Sequence, residues 1–107
     1  LKNIEGLEIV NLNNKKLHAY HLYIIRINKI FSISRDQLHL QLFKKGIRTT
    51  VHYKPIHMFS YFQHNSNSTN FPNSINAYNE CLSLPLFPTI TKKQQDYVIQ
   101  NILKFGK

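Results

Sequence analysis

The sequence predicts an α+β domain, a small sheet with helices packed on it, and three observations carry that expectation. Residues 20–27 set bulky apolar side chains on both faces of an extended segment. Two later segments open with helix-capping residues and continue as apolar stripes. A chain of 107 residues has room for one core, so strands and helices must share it.

The elements follow in order. Residues 1–14 are mixed, with Gly6 and a polar Asn-Leu-Asn-Asn turn. In residues 20–27, Tyr20, Leu22 and Ile24 alternate with His21, Tyr23 and Ile25, which predicts a central strand. Ser34 reads as an N-cap, Asp36 suits the positive helix end, and Gln37 completes a capping box. Leu38 and Leu42, with Phe43 beside them, are the expected buried face. Lys44 and Lys45 complement the negative helix end, and Gly46 supplies a left-handed stop. Residues 47–53, rich in β-branched side chains and closed by Pro55, predict a second strand.

Residues 64–73 read as a solvated loop and residues 74–82 as a short helix. Residues 83–88 read as a short extended strand, because each proline disfavours helix at the residue before it. Thr91 and Gln94 form another capping box, ahead of a stripe of Val98, Ile99, Ile102 and Leu103. Residues 1–107 are thus expected to make a single domain.

Composition narrows the function classes. The net charge of +9 raises nucleic-acid binding, but eleven lysines and three arginines are scattered in pairs at most. Heavy use of Lys, Asn and Ile is also what an AT-rich genome imposes. Nucleic acid is therefore not the expected partner. No apolar run approaches the ~20 residues of a membrane span, and no signal peptide is visible. The lone Cys81 cannot pair internally, which favours a reducing compartment and a cytoplasmic location.

Chemistry-bearing patterns are few. His18 and His21 lack the cysteine or carboxylate partners of a zinc site, and His39 and His64 are expected to face solvent. There is no Gly-rich phosphate loop, no nucleophile elbow and no close carboxylate pair. What remains is Val51-His52-Tyr53-Lys54-Pro55-Ile56-His57, a strand end turning at a proline, where side chains are readily presented to a ligand. His52, Tyr53 and His57 offer hydrogen bonds and a stacking surface. The same residues also read simply as an aromatic strand end satisfied by its neighbours.

The longer stretch Gly46-Ile47-Arg48-Thr49-Thr50-Val51-His52-Tyr53-Lys54-Pro55-Ile56-His57 resembles a hallmark of the DegT/DnrJ/StrS sugar aminotransferases. His18-Ala19-Tyr20-His21-Leu22-Tyr23, Arg35-Asp36-Gln37-Leu38, Ala77-Tyr78-Asn79-Glu80, Leu82-Ser83-Leu84-Pro85-Leu86-Phe87-Pro88 and Gln95-Asp96-Tyr97-Val98-Ile99 are similar to further family stretches, in order and spacing, and residues 1–7 fit the lead-in to its small domain. These are fold-type I pyridoxal-phosphate enzymes that move an amino group from glutamate to a keto sugar on a nucleotide.

The resemblance implies the C-terminal small domain of such an enzyme, with the large domain that carries the cofactor lysine absent from this chain. It implies no cofactor in this chain alone, pyridoxal phosphate in the complete enzyme, and no transamination by the chain by itself. The chain would be a split-gene product, a remnant or an excised domain. Partners implied are the large domain or a second copy in a dimer, and a nucleotide-sugar substrate of surface-polysaccharide synthesis, of the spore-coat or pseudaminic-acid type. His52, Tyr53 and His57 become the expected substrate-binding residues, and Met58, Phe59, Tyr61 and Phe62 an apolar cluster for the partner to cover. An orphan module docking on a separately encoded large domain and a basic RNA-binding domain are the competing readings.

Overall fold

The computed structural model describes residues 1–9, 19–63 and 71–106. His18, His64 and the Asn-rich turn within residues 10–18 lie outside them. The elements are β1 (Leu7–Ile9), β2 (Tyr23–Ile27), α1 (Arg35–Lys44), a 3-10 turn (Ile56–Met58), α2 (Ser60–Gln63), α3 (Pro72–Glu80), β3 (Cys81–Leu84) and α4 (Lys92–Leu103). The strands form an antiparallel sheet in the order β1-β2-β3, so the fold is the expected α+β arrangement with β2 central. Leu7 pairs with Ile27, and Ile25 pairs with both Ile9 and Leu82.

Ile25 and Ile27 face the core with Leu7, Leu82 and Leu84, against Leu38 and Leu42 of α1 and Val98 and Ile102 of α4. Ile25, Leu38, Leu42, Leu82 and Ile102 are fully buried. At ~25 cal/mol per Å² such side chains dominate the favourable side of folding. Both capping boxes form: Ser34 with Gln37 ahead of α1, and Thr91 with Gln94 ahead of α4. Gly46 ends α1 at φ +74°, where a side chain would strain the backbone. At Gly6 (φ +76°) a Cβ would stand 2.1 Å from the Phe31 backbone nitrogen, so glycine is required there.

The structure corrects several expectations. β2 starts at Tyr23, since Tyr20 takes a positive φ of 48° and breaks the extended run. β1, a three-residue strand carrying Glu8, has too short a pattern to stand out. The helix expected over residues 74–82 is α3, begun earlier by Pro72 in its first turn and ended before β3. Phe43 and Leu103 are exposed rather than buried. Each lies beside the stripe in sequence, on the helix flank that turns outward. Arg35 and Asn101 are buried instead.

Residues 47–53 are not a strand. Thr50 makes an isolated bridge to Ser83, donating at 3.1 Å and accepting at 2.8 Å. The next hydrogen-bonding positions of such a ladder fall at residues 85 and 81. Pro85 has no N–H to give. At Cys81 the N–H is bonded to the Ala77 carbonyl and the carbonyl accepts from Arg35 Nη1 at 3.1 Å. Both ends of the ladder are closed after one bridge.

Candidate functional site

The segment beside β3 still alternates. Ile47 and Thr49 turn inward, while Arg48 and Thr50 are exposed. Thr49 Oγ1 lies 2.6 Å from His39 Nδ1. His39 is therefore half-buried and bonded, not the solvent-facing residue expected. The chain then reaches His52 and Tyr53 and turns at Pro55 into the 3-10 turn.

His52 is half-buried, and its Nδ1 lies 2.8 Å from Ser83 Oγ. Ser83 alternates with the core residues Leu82 and Leu84, so its side chain leaves the other face of β3, toward His52. Tyr53 is 74% exposed and meets the His52 ring edge-on, with centroids 4.6 Å apart. His57 packs against a different partner, Phe71, at 4.8 Å, and its Nε2 is buried with no hydrogen-bond partner. Beyond the turn, Phe59, Tyr61 and Phe62 expose aromatic surface, whereas Met58 is half-buried.

A groove of about 1230 Å³ runs between residues 46–50, the stretch from Ser83 to Phe87 and the first turns of α4. His52 lines it, and Tyr53 and His57 do not. Arg48, Lys92 and Lys93 give its walls positive charge, offset by Asp96, which pairs with Lys92. The lining is more apolar than polar; the His21 and His52 imidazoles, the Thr50 hydroxyl and the cationic side chains are its hydrogen-bonding groups, a set that can take an oxygen-bearing, anionic ligand.

Elsewhere, Arg26 joins Glu80 at 2.5 Å, and that hydrogen bond raises its already high pKa. Burial pushes the Cys81 thiol up, against the pull of Arg26 and Arg35, the opposite of a reactive thiolate. Among the described residues no three His, Cys, Asp or Glu side chains group around a metal position, and no helix is long and apolar enough to cross a membrane. Every described lysine is exposed at the surface. A Schiff-base lysine is desolvated or held beside another charge, so the described residues do not fit pyridoxal phosphate. Ser83 escaped the sequence reading because a serine between two strand leucines carries no signal; its partner lies 31 residues away.

Comparison with known proteins gives concordant results. A family model for the DegT/DnrJ/EryC1/StrS aminotransferases matches residues 1–103. The chain is 31% identical over 105 residues to the spore coat polysaccharide biosynthesis protein SpsC of Bacillus subtilis, covering 94% of this chain and 27% of that protein. It is 36% identical over 92 residues to a pleiotropic regulatory protein of Geobacillus stearothermophilus, covering 84% and 23%. The crystal structure of the aminotransferase TlmJ from Streptoalloteichus hindustanus superposes with a TM-score of 0.82 at 26% identity, covering 95% of this chain and 26% of that one. The chain thus spans about a quarter of the length of the relatives it matches.

Proposed function

The chain belongs to the DegT/DnrJ/EryC1/StrS aminotransferase family, and from that membership we propose that it is the C-terminal part of a nucleotide-sugar aminotransferase of surface-polysaccharide synthesis. The match to the spore-coat relative across 94% of the chain carries this reading. In the complete enzyme, pyridoxal phosphate bound to the large domain supplies the electron sink for amino transfer. This chain contributes no lysine to that chemistry and is inactive alone.

Its own residues act on the sugar nucleotide. His52 offers a ring nitrogen from the groove wall and Tyr53 an exposed ring and hydroxyl, while His57, packed on Phe71 with its Nε2 buried, would reach substrate only if that packing opens. These groups bind and orient substrate where the large domain closes over them. The exposed Phe59, Tyr61 and Phe62 are the surface that meets the large domain or a second copy.

The genomic sequence immediately upstream of Leu1 tests this reading. The expected result is coding sequence for a large domain with a cofactor lysine, in frame or as a separate frame. An upstream region with no such sequence would overturn it.

A further inference from the structure

We infer that Ser83 is a positioning residue for His52: its hydroxyl donates to Nδ1, holds the imidazole as the Nε2–H tautomer, and so presents an N–H donor to an oxygen acceptor of the ligand. The inference rests on the reading of His52 as a substrate residue and goes one step further, to the chemistry that His52 can recognise.

A neutral imidazole has one donor nitrogen and one acceptor nitrogen, and a serine hydroxyl has a single hydrogen. With Nδ1 and Oγ 2.8 Å apart, two arrangements are open. In one, Nδ1–H donates to Oγ, and the serine hydrogen must find another acceptor. Ser83 is 5% exposed, and among the described residues its hydroxyl has no bond except the one to His52. That arrangement leaves a nearly buried donor with no acceptor among the described residues, which is disfavoured. In the other, Ser83 donates, every hydrogen is used, and Nε2 carries the second proton.

Ser83 is well placed to impose this choice. Its N–H and carbonyl are both bonded to Thr50, and it pairs with Ile24 in the sheet. A hydroxyl on so fixed a backbone holds the ring in both direction and tautomer. Nε2 makes no bond to a described residue and is not among the buried, unpartnered atoms. An N–H there selects a phosphoryl, carbonyl or hydroxyl oxygen and turns away a ligand that offers another hydrogen. Arg48 and Lys93 on the same groove favour the anionic choice among these.

The test reads the ring nitrogens of the ligand-free, 15N-labelled chain by two-bond proton–nitrogen correlation, at a pH where the imidazole is neutral. The expected pattern is a protonated Nε2 and an imine-type Nδ1 shifted by an accepted hydrogen bond. Ser83→Ala, which keeps the backbone bonds, loses that shift, and Ser83→Thr restores it. A protonated Nδ1 in the wild type, or an Nδ1 shift unchanged by Ser83→Ala, overturns the inference. Because no ligand is present, failure here is separate from failure of the substrate reading. The substrate reading falls instead if His52→Ala leaves the KM for a nucleotide sugar unchanged in an assembled enzyme.

Discussion

Arg35 Nη1 donates to the carbonyl of Cys81 at 3.1 Å, tying the first turn of α1 to the start of β3 across 46 residues. The guanidinium is 6% exposed, has its Nε 2.7 Å from Asp36, and lies 5.5 Å from the Tyr78 ring centroid. One side chain thus joins α1, α3 and β3.

Arg35→Ala is therefore expected to destabilise the chain by about 2–3 kcal/mol, the usual range for a lost charged hydrogen bond. Urea unfolding measures it. A loss below ~0.5 kcal/mol would show that water replaces the guanidinium without cost.

The α4 stripe gives a paired test. Ile102 is fully buried, while Leu103 beside it is 47% exposed. Ile102→Ala is expected to cost about 2–5 kcal/mol, from lost transfer and a cavity. Leu103→Ala should stay within ~0.5 kcal/mol. Equal losses at the two positions would mean that the helix presents a different face to the sheet.

Cys81 sets a pH dependence. Burial raises its thiol pKa in the folded chain above the unfolded value near 9.0. The folded state thus favours the protonated thiol. Its contribution to stability is complete below the unfolded pKa and is lost as pH rises through the folded one. Urea midpoints of wild type should fall relative to Cys81→Ala as pH rises past the unfolded value near 9.0. Iodoacetamide at pH 8 should alkylate Cys81 more slowly folded than in urea. Faster alkylation in the folded chain would contradict this.

Much of the fold was legible because its signals are local. Ser34 and Gln37, or Thr91 and Gln94, sit three residues apart, and Gly46 needs only its own backbone to end a helix. The misread strand is a long-range matter. Whether residues 47–53 form a strand is decided by Pro85 and by the engaged Cys81 N–H, both far along the chain. Burial of Asn101 depends on its bonds to the Tyr97 carbonyl and Lys104. His52 was visible as a candidate, but the serine that holds it was not.

The exposed aromatics predict association. Phe59, Tyr61 and Phe62 lie open at 45%, 83% and 45% exposure on a chain of charge +9. Rising salt should screen the repulsion and strengthen self-association, whereas nucleic-acid binding would weaken. Light scattering across a salt series should show larger species for wild type than for the Phe59→Ser/Phe62→Ser variant. A monomeric wild type at high concentration and high salt would refute this.

The most direct test is amino transfer itself. A chimera carries this chain in place of the matching quarter of the Bacillus subtilis relative, and glutamate-dependent amination of a nucleotide keto sugar is assayed. The account predicts product from the chimera, none from the chain alone, and a KM for the sugar nucleotide raised about tenfold by His52→Ala, the loss of ~1.4 kcal/mol expected for one hydrogen bond. A folded, cofactor-loaded chimera that makes no amino sugar would contradict it.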